Sequence, residues 1–151
     1  MSNALCKQSF LALSALAWVD GSVRPREREG LLGAAKKAGL SEAECAEISA
    51  ALEKETKLDS FVPGDMTTWQ RVLTFGLGVW LARLDGVQSA DESELLRDLA
   101  KRLDLDKGTQ ERAAAAANDV FCLPEGGRPD RFDFTTLDAR LREKLPQLVG
   151  K

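Results

Sequence analysis

Residues 16–41, LAWVDGSVRPREREGLLGAAKKAGLS, align without a gap on residues 81–106, LARLDGVQSADESELLRDLAKRLDLD, at a constant offset of 65. Asp20 and Gly21 fall on Asp85 and Gly86, Glu27 on Glu92, and Glu29 on Glu94. The same offset pairs Leu31 with Leu96, Ala35 with Ala100, Lys36 with Lys101 and Leu40 with Leu105. Self-similarity at a fixed period is the signature of a duplicated supersecondary unit. Two copies of one helix–turn–helix are therefore expected.

Each copy can be read physically. Ahead of Asp85, apolar side chains recur at Trp69, Val72, Leu73, Gly76, Val79, Trp80 and Leu84. That three-and-four spacing lines one face of a helix and predicts one from about Met66 to Leu84. After the turn, Leu95, Leu96, Leu99, Ala100 and Leu103 repeat the spacing, as do Leu31, Leu32, Ala35 and Ala38 in the first copy. Gly21 and Gly86 stand where a helix must end, in a conformation glycine enters at little cost. Ser89 followed by Glu92 forms a capping box for the second helix of the second copy. In the first copy Arg24 takes the serine's place, and Pro25 suits the first helical position.

A third helix is expected after each unit, over Ser41–Lys57 with Ile48 and Leu52 inward, and over Lys107–Phe121 through an alanine-rich run that favours helix but packs shallowly. The stretch 123–134, LPEGGRPDRFDF, is a loop by its prolines and glycines. Leu137, Leu141, Leu145 and Leu148 mark a closing helix over 135–149. Nothing alternates like a β-strand. The expected fold is all-α with about seven helices in one domain over 1–151: repeat one at 5–58, repeat two at 66–121, then the C-terminal helix. At 151 residues such a chain buries roughly 68–70% of its extended surface and needs neither disulfide nor structural metal to fold.

Composition narrows the chemistry. The chain has no histidine, so Ser-His-Asp and Cys-His catalysis and every imidazole-ligated metal are excluded. Cys6, Cys45 and Cys122 lie far apart with no CxxC spacing, which argues against thiolate clusters and a disulfide framework and favours a reducing cytoplasm. Cys45 and Cys122 are expected to be small buried residues and Cys6 exposed. Lys and Arg number 21 against 24 Asp and Glu, for a net charge of −3 with the signs interspersed, so no nucleic-acid face is implied. Lys7 followed by FLALSALAW has the outline of a secretory leader, but the run is short and its end recurs inside the chain. A membrane span needs about 20 apolar residues, more than this run or Val72–Ala82 supplies. A soluble protein is expected.

An apolar helix ending in Asp-Gly, a few polar residues, an acidic helix start and a leucine-rich face, all occurring twice, resembles the TerB-like family of tellurite-resistance proteins. It is also similar to the N-terminal domain of the DnaJ-like co-chaperone DjlA. The resemblance covers about residues 8–120. It implies a pseudosymmetric helical fold, an acidic surface that binds divalent metal, and association with membrane-linked stress-response complexes. The family's acidic positions fall on Asp20 and Glu27 in the first copy and on Asp85 and Glu92 in the second. Arg24 departs from the Ser or Thr usual near the helix start, and the tail after Phe121 has no counterpart.

Hard cations such as Ca²⁺ or Mg²⁺ take converging carboxylates and carbonyls with no competing base nearby. From Asp85 to Glu94 the sequence offers Asp85, Asp91, Glu92 and Glu94 and no base, whereas Arg24, Arg26 and Arg28 intersperse Asp20, Glu27 and Glu29. Any metal should prefer the second turn and leave Asp20 and Glu27 weak or silent. A plainer account stands beside this one: acids in a first helical turn stabilise it by about 0.3–1 kcal/mol through the helix dipole, and Asp-Gly is an ordinary turn pair. The EF-hand ligand pattern is absent.

Trp18, Trp69 and Trp80 are expected in the core, and Arg24, Arg26 and Arg28 on a solvated face. Gly76 and Gly78 inside a helix point to close approach by another helix. The functional expectation is a non-catalytic interaction scaffold with protein partners, binding Ca²⁺ or Mg²⁺ at the acidic turns. The alternatives are a metal-independent adaptor, marked by an exposed apolar groove between the two copies, and a metal-dependent hydrolase, which would need a pocket joining Asp85 and Glu92 to a nucleophile.

Overall fold

The computed structural model describes residues 7–18, 25–37, 39–54, 66–82, 90–122 and 134–148. They form seven α-helices: α1 Lys7–Ala17, α2 Pro25–Lys37, α3 Glu42–Glu53, α4 Thr68–Ala82, α5 Ala90–Arg102, α6 Lys107–Cys122 and α7 Phe134–Lys144. A 3₁₀ turn, Pro146–Leu148, is the last described element. No strand occurs among the described residues, as expected for an all-α fold.

Local chemistry sets the helix starts. Pro25 opens α2, where its missing N–H costs no hydrogen bond. At α3 the Glu44 N–H donates to Ser41 Oγ and the Ser41 N–H donates to Glu44 Oε1, both at 3.1 Å. At α4 the Gln70 N–H donates to Thr67 Oγ1 at 3.1 Å and the Thr67 N–H to Gln70 Oε1 at 3.0 Å. At α6 the Thr109 N–H donates to Asp106 Oδ1 at 2.7 Å. Each satisfies donors that a helix start otherwise leaves without partners. The Ser89 cap lies outside the described residues, but α5 begins at the next residue, Ala90.

Three expected helices are shorter than their periodicity implied. The fourth starts at Thr68 rather than Met66, because Thr67 is its cap. The third ends at Glu53, since Lys54 turns extended with φ −126° and ψ 145°. The closing helix stops at Lys144, because Pro146 cannot donate within a helix and disfavours a helical residue before it.

The core centres on α4, which packs on α1, α5, α6 and α7. Of the expected buried face Leu84 lies outside the described residues and the rest is buried, but the face is wider than expected: every residue from Val72 to Trp80 is buried, including Thr74, Phe75 and Leu77. A helix enclosed on all sides has no polar face to keep. Its one buried hydroxyl is satisfied, for Thr74 Oγ1 donates to the Gln70 carbonyl at 2.7 Å and meets Ser9 Oγ of α1 at 2.8 Å. Trp69 and Trp80 are core residues and Trp18 is half-buried, its indole Nε1–H donating to the Ala51 carbonyl of α3 at 3.0 Å.

Helix α7 seats on α4 and α6. Leu137, Leu141 and Leu145 are buried, and each such leucine contributes roughly 1.5–3 kcal/mol. They pass over Gly76, where a Cβ would lie at the ordinary contact distance of 3.7–3.8 Å from the methyls of Leu137 and Leu141. The close approach expected at Gly76 is thus made by leucine side chains of α7. One polar knot fixes its register: Trp69 Nε1–H donates to Asp138 Oδ1 at 2.8 Å, and Arg142 Nε–H donates to Asp138 Oδ2 at 2.6 Å. The Arg142 guanidinium stands 5.6 Å from the Trp69 ring centroid, a distance at which the ring face attracts a cation.

Candidate functional site

The two acidic turns fall largely outside the described residues, with Asp20, Gly21, Asp85 and Gly86 among the undescribed positions. Asp91 and Glu92 belong to the first turn of α5, and Glu27 to the first turn of α2; their side chains are not among those described. The backbone alone places Asp91 and Glu92 beside N–H groups that have no partner within the helix, where a carboxylate is favoured.

Glu94 is described and exposed. It follows Glu92 by two residues, about 200° around the helix at roughly 100° per residue. Glu94 shares a helix stripe with the exposed Arg97, Asp98 and Lys101. Among the described residues no group of three or more His, Cys, Asp or Glu side chains is gathered for a metal ion.

Two expectations about side chains need correction. Cys122 is exposed at the end of α6, not buried, and Cys45 is half-buried. Cys6 lies outside the described residues. Arg28 is not on a solvated face: half-buried, it donates to Ser49 Oγ at 2.9 Å and to Glu53 Oε1 at 3.4 Å, tying α2 to α3. Arg24 and the Arg26 side chain lie outside the described set.

An open cleft of about 540 Å³ lies between α2 and α3. Leu32, Leu40, Cys45 and Ala46 give it an apolar lining, and Lys36 and Glu42 are exposed at its edge. The expected groove lay between the two copies; this cleft lies within the first. Its signal was present in the sequence, because Leu32, Cys45 and Ala46 stand where the second copy has Arg97, Gln110 and Glu111. Gln110 Nε2–H donates to the Leu105 carbonyl at 2.9 Å, while the smaller Cys45 thiol points to the equivalent Leu40 carbonyl at 3.9 Å. Chemically the cleft can hold an apolar group between two opposite charges. It pairs no nucleophile with a base.

Among the described residues, one carboxylate is shifted by a structural role. Asp106 is held below the usual carboxylate range by the Thr109 N–H, then by the Thr109 hydroxyl, because hydrogen bonds to the charged form favour it.

No helix among the described residues is long and apolar enough to cross a membrane. No protein-family model matches the chain, and comparison with curated proteins and with solved structures gives no match.

Proposed function

We propose that this chain is a non-catalytic, TerB-like helical scaffold of the cytoplasm, built from a duplicated hairpin and related to tellurite resistance or stress response. In this reading it engages protein partners of a membrane-associated complex. It takes Ca²⁺ or Mg²⁺ at the second acidic turn, through Asp85, Asp91, Glu92 and Glu94, while Asp20 and Glu27 of the first turn bind weakly.

The observation that carries the duplicated-scaffold reading is the match of the halves at offset 65. α2 and α5 share both bounds at that offset, 25–37 against 90–102. Both end in the same cap: Gly39 and Asp104 have φ 88° and 58°, and the N–H groups of Leu40 and Leu105 donate back to Ala35 and Ala100 at 3.2 and 3.0 Å. Ser9 and Thr74, which touch in the core, are also 65 apart. Contact between equivalent residues is what a twofold relation between halves produces.

Titration with Ca²⁺, Mg²⁺ or Mn²⁺ tests the cation part, followed by amide shifts and by tryptophan emission, since Trp18 and Trp80 lie close in sequence to the two turns. The expected result is a response at the second turn that Glu92→Ala weakens. A lower melting temperature with unchanged affinity would reduce Glu92 to a cap. Silence at millimolar cation would leave the second reading, a metal-independent adaptor, which the apolar α2–α3 cleft favours.

A further inference from the structure

The apolar cleft between α2 and α3 has a polar counterpart in the second half. Leu32, Cys45 and Ala46 line the cleft, where the second half carries Arg97, Gln110 and Glu111. One half is therefore built without apolar residues at these positions, so folding does not require them. Apolar surface that folding does not require and water disfavours marks a contact surface. Charge says what meets it. α2 and α3 run antiparallel, because Arg28 near the start of α2 reaches Ser49 and Glu53 near the end of α3. Their joined ends are level, with Lys36 on one wall of the cleft and Glu42 on the other. Both are exposed, and neither has an ion-pair partner among the described residues.

We infer that the occupant of this cleft is a second copy of the chain, related by a twofold axis running along the cleft, so that α2 of each copy lies on α3 of the other. A twofold contact must be self-complementary, and this one is. It sets Lys36 of each copy on Glu42 of the other. Leu32 lies one turn before Lys36 and Ala46 one turn after Glu42, so the same operation lays the large Leu32 on the small Ala46. The four helices then enclose the apolar lining as the core of a bundle. An axis across the cleft would instead carry each joined end to the far end of the other copy and leave both charges unpaired. Self-pairing goes beyond the scaffold reading and does not rest on cation binding.

The second half shows why this face pairs and its counterpart does not. There the same operation would set Lys101 on Lys107, two exposed cations, and like charges brought together oppose association. The size of the face sets the strength. α2 and α3 are 13 and 12 residues long, so side by side they present a face of about 20 Å by about 20 Å. Two such faces bury roughly 800 Å², which suits a reversible dimer rather than an obligate one.

The test is sedimentation of the full chain over a concentration series reaching the submillimolar range. The mass should rise from one copy toward two. Leu32→Arg, which imports the residue type of Arg97, should weaken pairing at least tenfold without lowering the melting temperature. Ala46→Glu imports the residue type of Glu111 at an exposed position and serves the same purpose should Leu32→Arg unfold. Lys36→Glu and Glu42→Lys should each abolish self-pairing, and a mixture of the two variants should pair again, because both charge contacts are then between opposite signs. Half-buried Cys45 should react with a maleimide at least threefold more slowly in the paired chain, and exposed Cys122 at an unchanged rate. A chain that stays monomeric throughout would overturn the proposal. So would a dimer that survives Ala46→Glu, or one whose two charge variants fail to pair when mixed.

Discussion

The halves α1–α3 and α4–α6 share the bounds and the closing cap of their second helices and differ in their filling. Lys36 and Lys101, Gly39 and Asp104, Leu40 and Leu105 make the same backbone bonds at the end of the second helix. Yet Ile48 and Leu52 on one side face Ala113 and Ala117 on the other, and Leu32, Cys45 and Ala46 answer to Arg97, Gln110 and Glu111. The comparison teaches that capping chemistry carries the hairpin, while side-chain volume decides what each half receives. The second half takes up α7, and the first keeps an open apolar cleft between α2 and α3.

Exchanging the fillings should break that division most forcefully. Ile48→Ala removes a fully buried side chain and should cost about 2–5 kcal/mol, as large-to-alanine changes in cores do. The reverse exchange, Ala113→Ile, overfills the buried face of α6 and should cost about 1–3 kcal/mol. Urea denaturation reads both. The second variant should also lose α7 protection in hydrogen exchange while the first should not, and equal loss in both would refute the division of roles.

Next in size is the polar knot. Asp138→Ala leaves the indole N–H of Trp69, itself only 4% exposed, without its acceptor, and an unpaired buried donor costs about 1–3 kcal/mol. The Arg142 side of the knot adds little, since the Arg142 and Asp138 side chains are 43% and 30% exposed and water screens such pairs. Arg142→Ala should therefore destabilise far less than Asp138→Ala. Equal effects would mean that the ion pair, not the indole bond, holds α7.

The sequence made the helices legible because their signals are local. Apolar spacing marked α2, α3, α4, α5 and α7, the alanine-rich run marked α6, Pro25 marked the start of α2, and the offset of 65 predicted matching second helices. Helix ends were legible in principle too: Ser41-x-x-Glu44 and Thr67-x-x-Gln70 are capping boxes in plain sequence, and the Asp106–Thr109 cap has the same spacing. Other features depend on what another element brings. Nothing near Val72–Trp80 says that α7 will cover the side of α4 left over after α1, α5 and α6 have packed. Arg28 reads as one of three alternating cations until α3 supplies Ser49 and Glu53. Cys122 reads as a small core residue until the end of α6 leaves it in solvent. The acidic turns were the most conspicuous chemistry in the sequence, yet of their carboxylates only the Glu29 and Glu94 side chains are described, and both are exposed.

The shared caps allow a smaller and sharper test, because the same left-handed position is glycine in one half and aspartate in the other. Asp104 at φ 58° pays a steric cost that glycine does not, so Asp104→Gly should raise stability by up to about 1 kcal/mol. Gly39→Ala should lower it by about the same amount, since nothing lies within 4 Å of a new Cβ and backbone strain is the only change. Opposite shifts in melting temperature are expected. Shifts of the same sign would mean the two caps are not equivalent.

The smallest effect separates the caps by charge. Asp106 caps α6 as a carboxylate where Ser41 caps α3 as a hydroxyl. The Thr109 bonds hold the Asp106 pKa below its ordinary 3.8 in the folded chain. A depressed folded pKa means the unfolded chain binds the proton more readily. The stabilisation from this group is therefore complete above the ordinary carboxylate value and is lost as pH falls through the lower folded value. Asp106→Asn keeps an oxygen acceptor for the Thr109 N–H but cannot ionise. Urea midpoints of the two proteins should nearly coincide at neutral pH, and below about pH 4 the variant should fall less steeply than the wild type. Ser41→Asp should import the opposite change, adding acid sensitivity at α3. If the Asp106→Asn curve ran parallel to the wild type throughout, the carboxylate would contribute no more than a neutral acceptor, and the two caps would differ in name only.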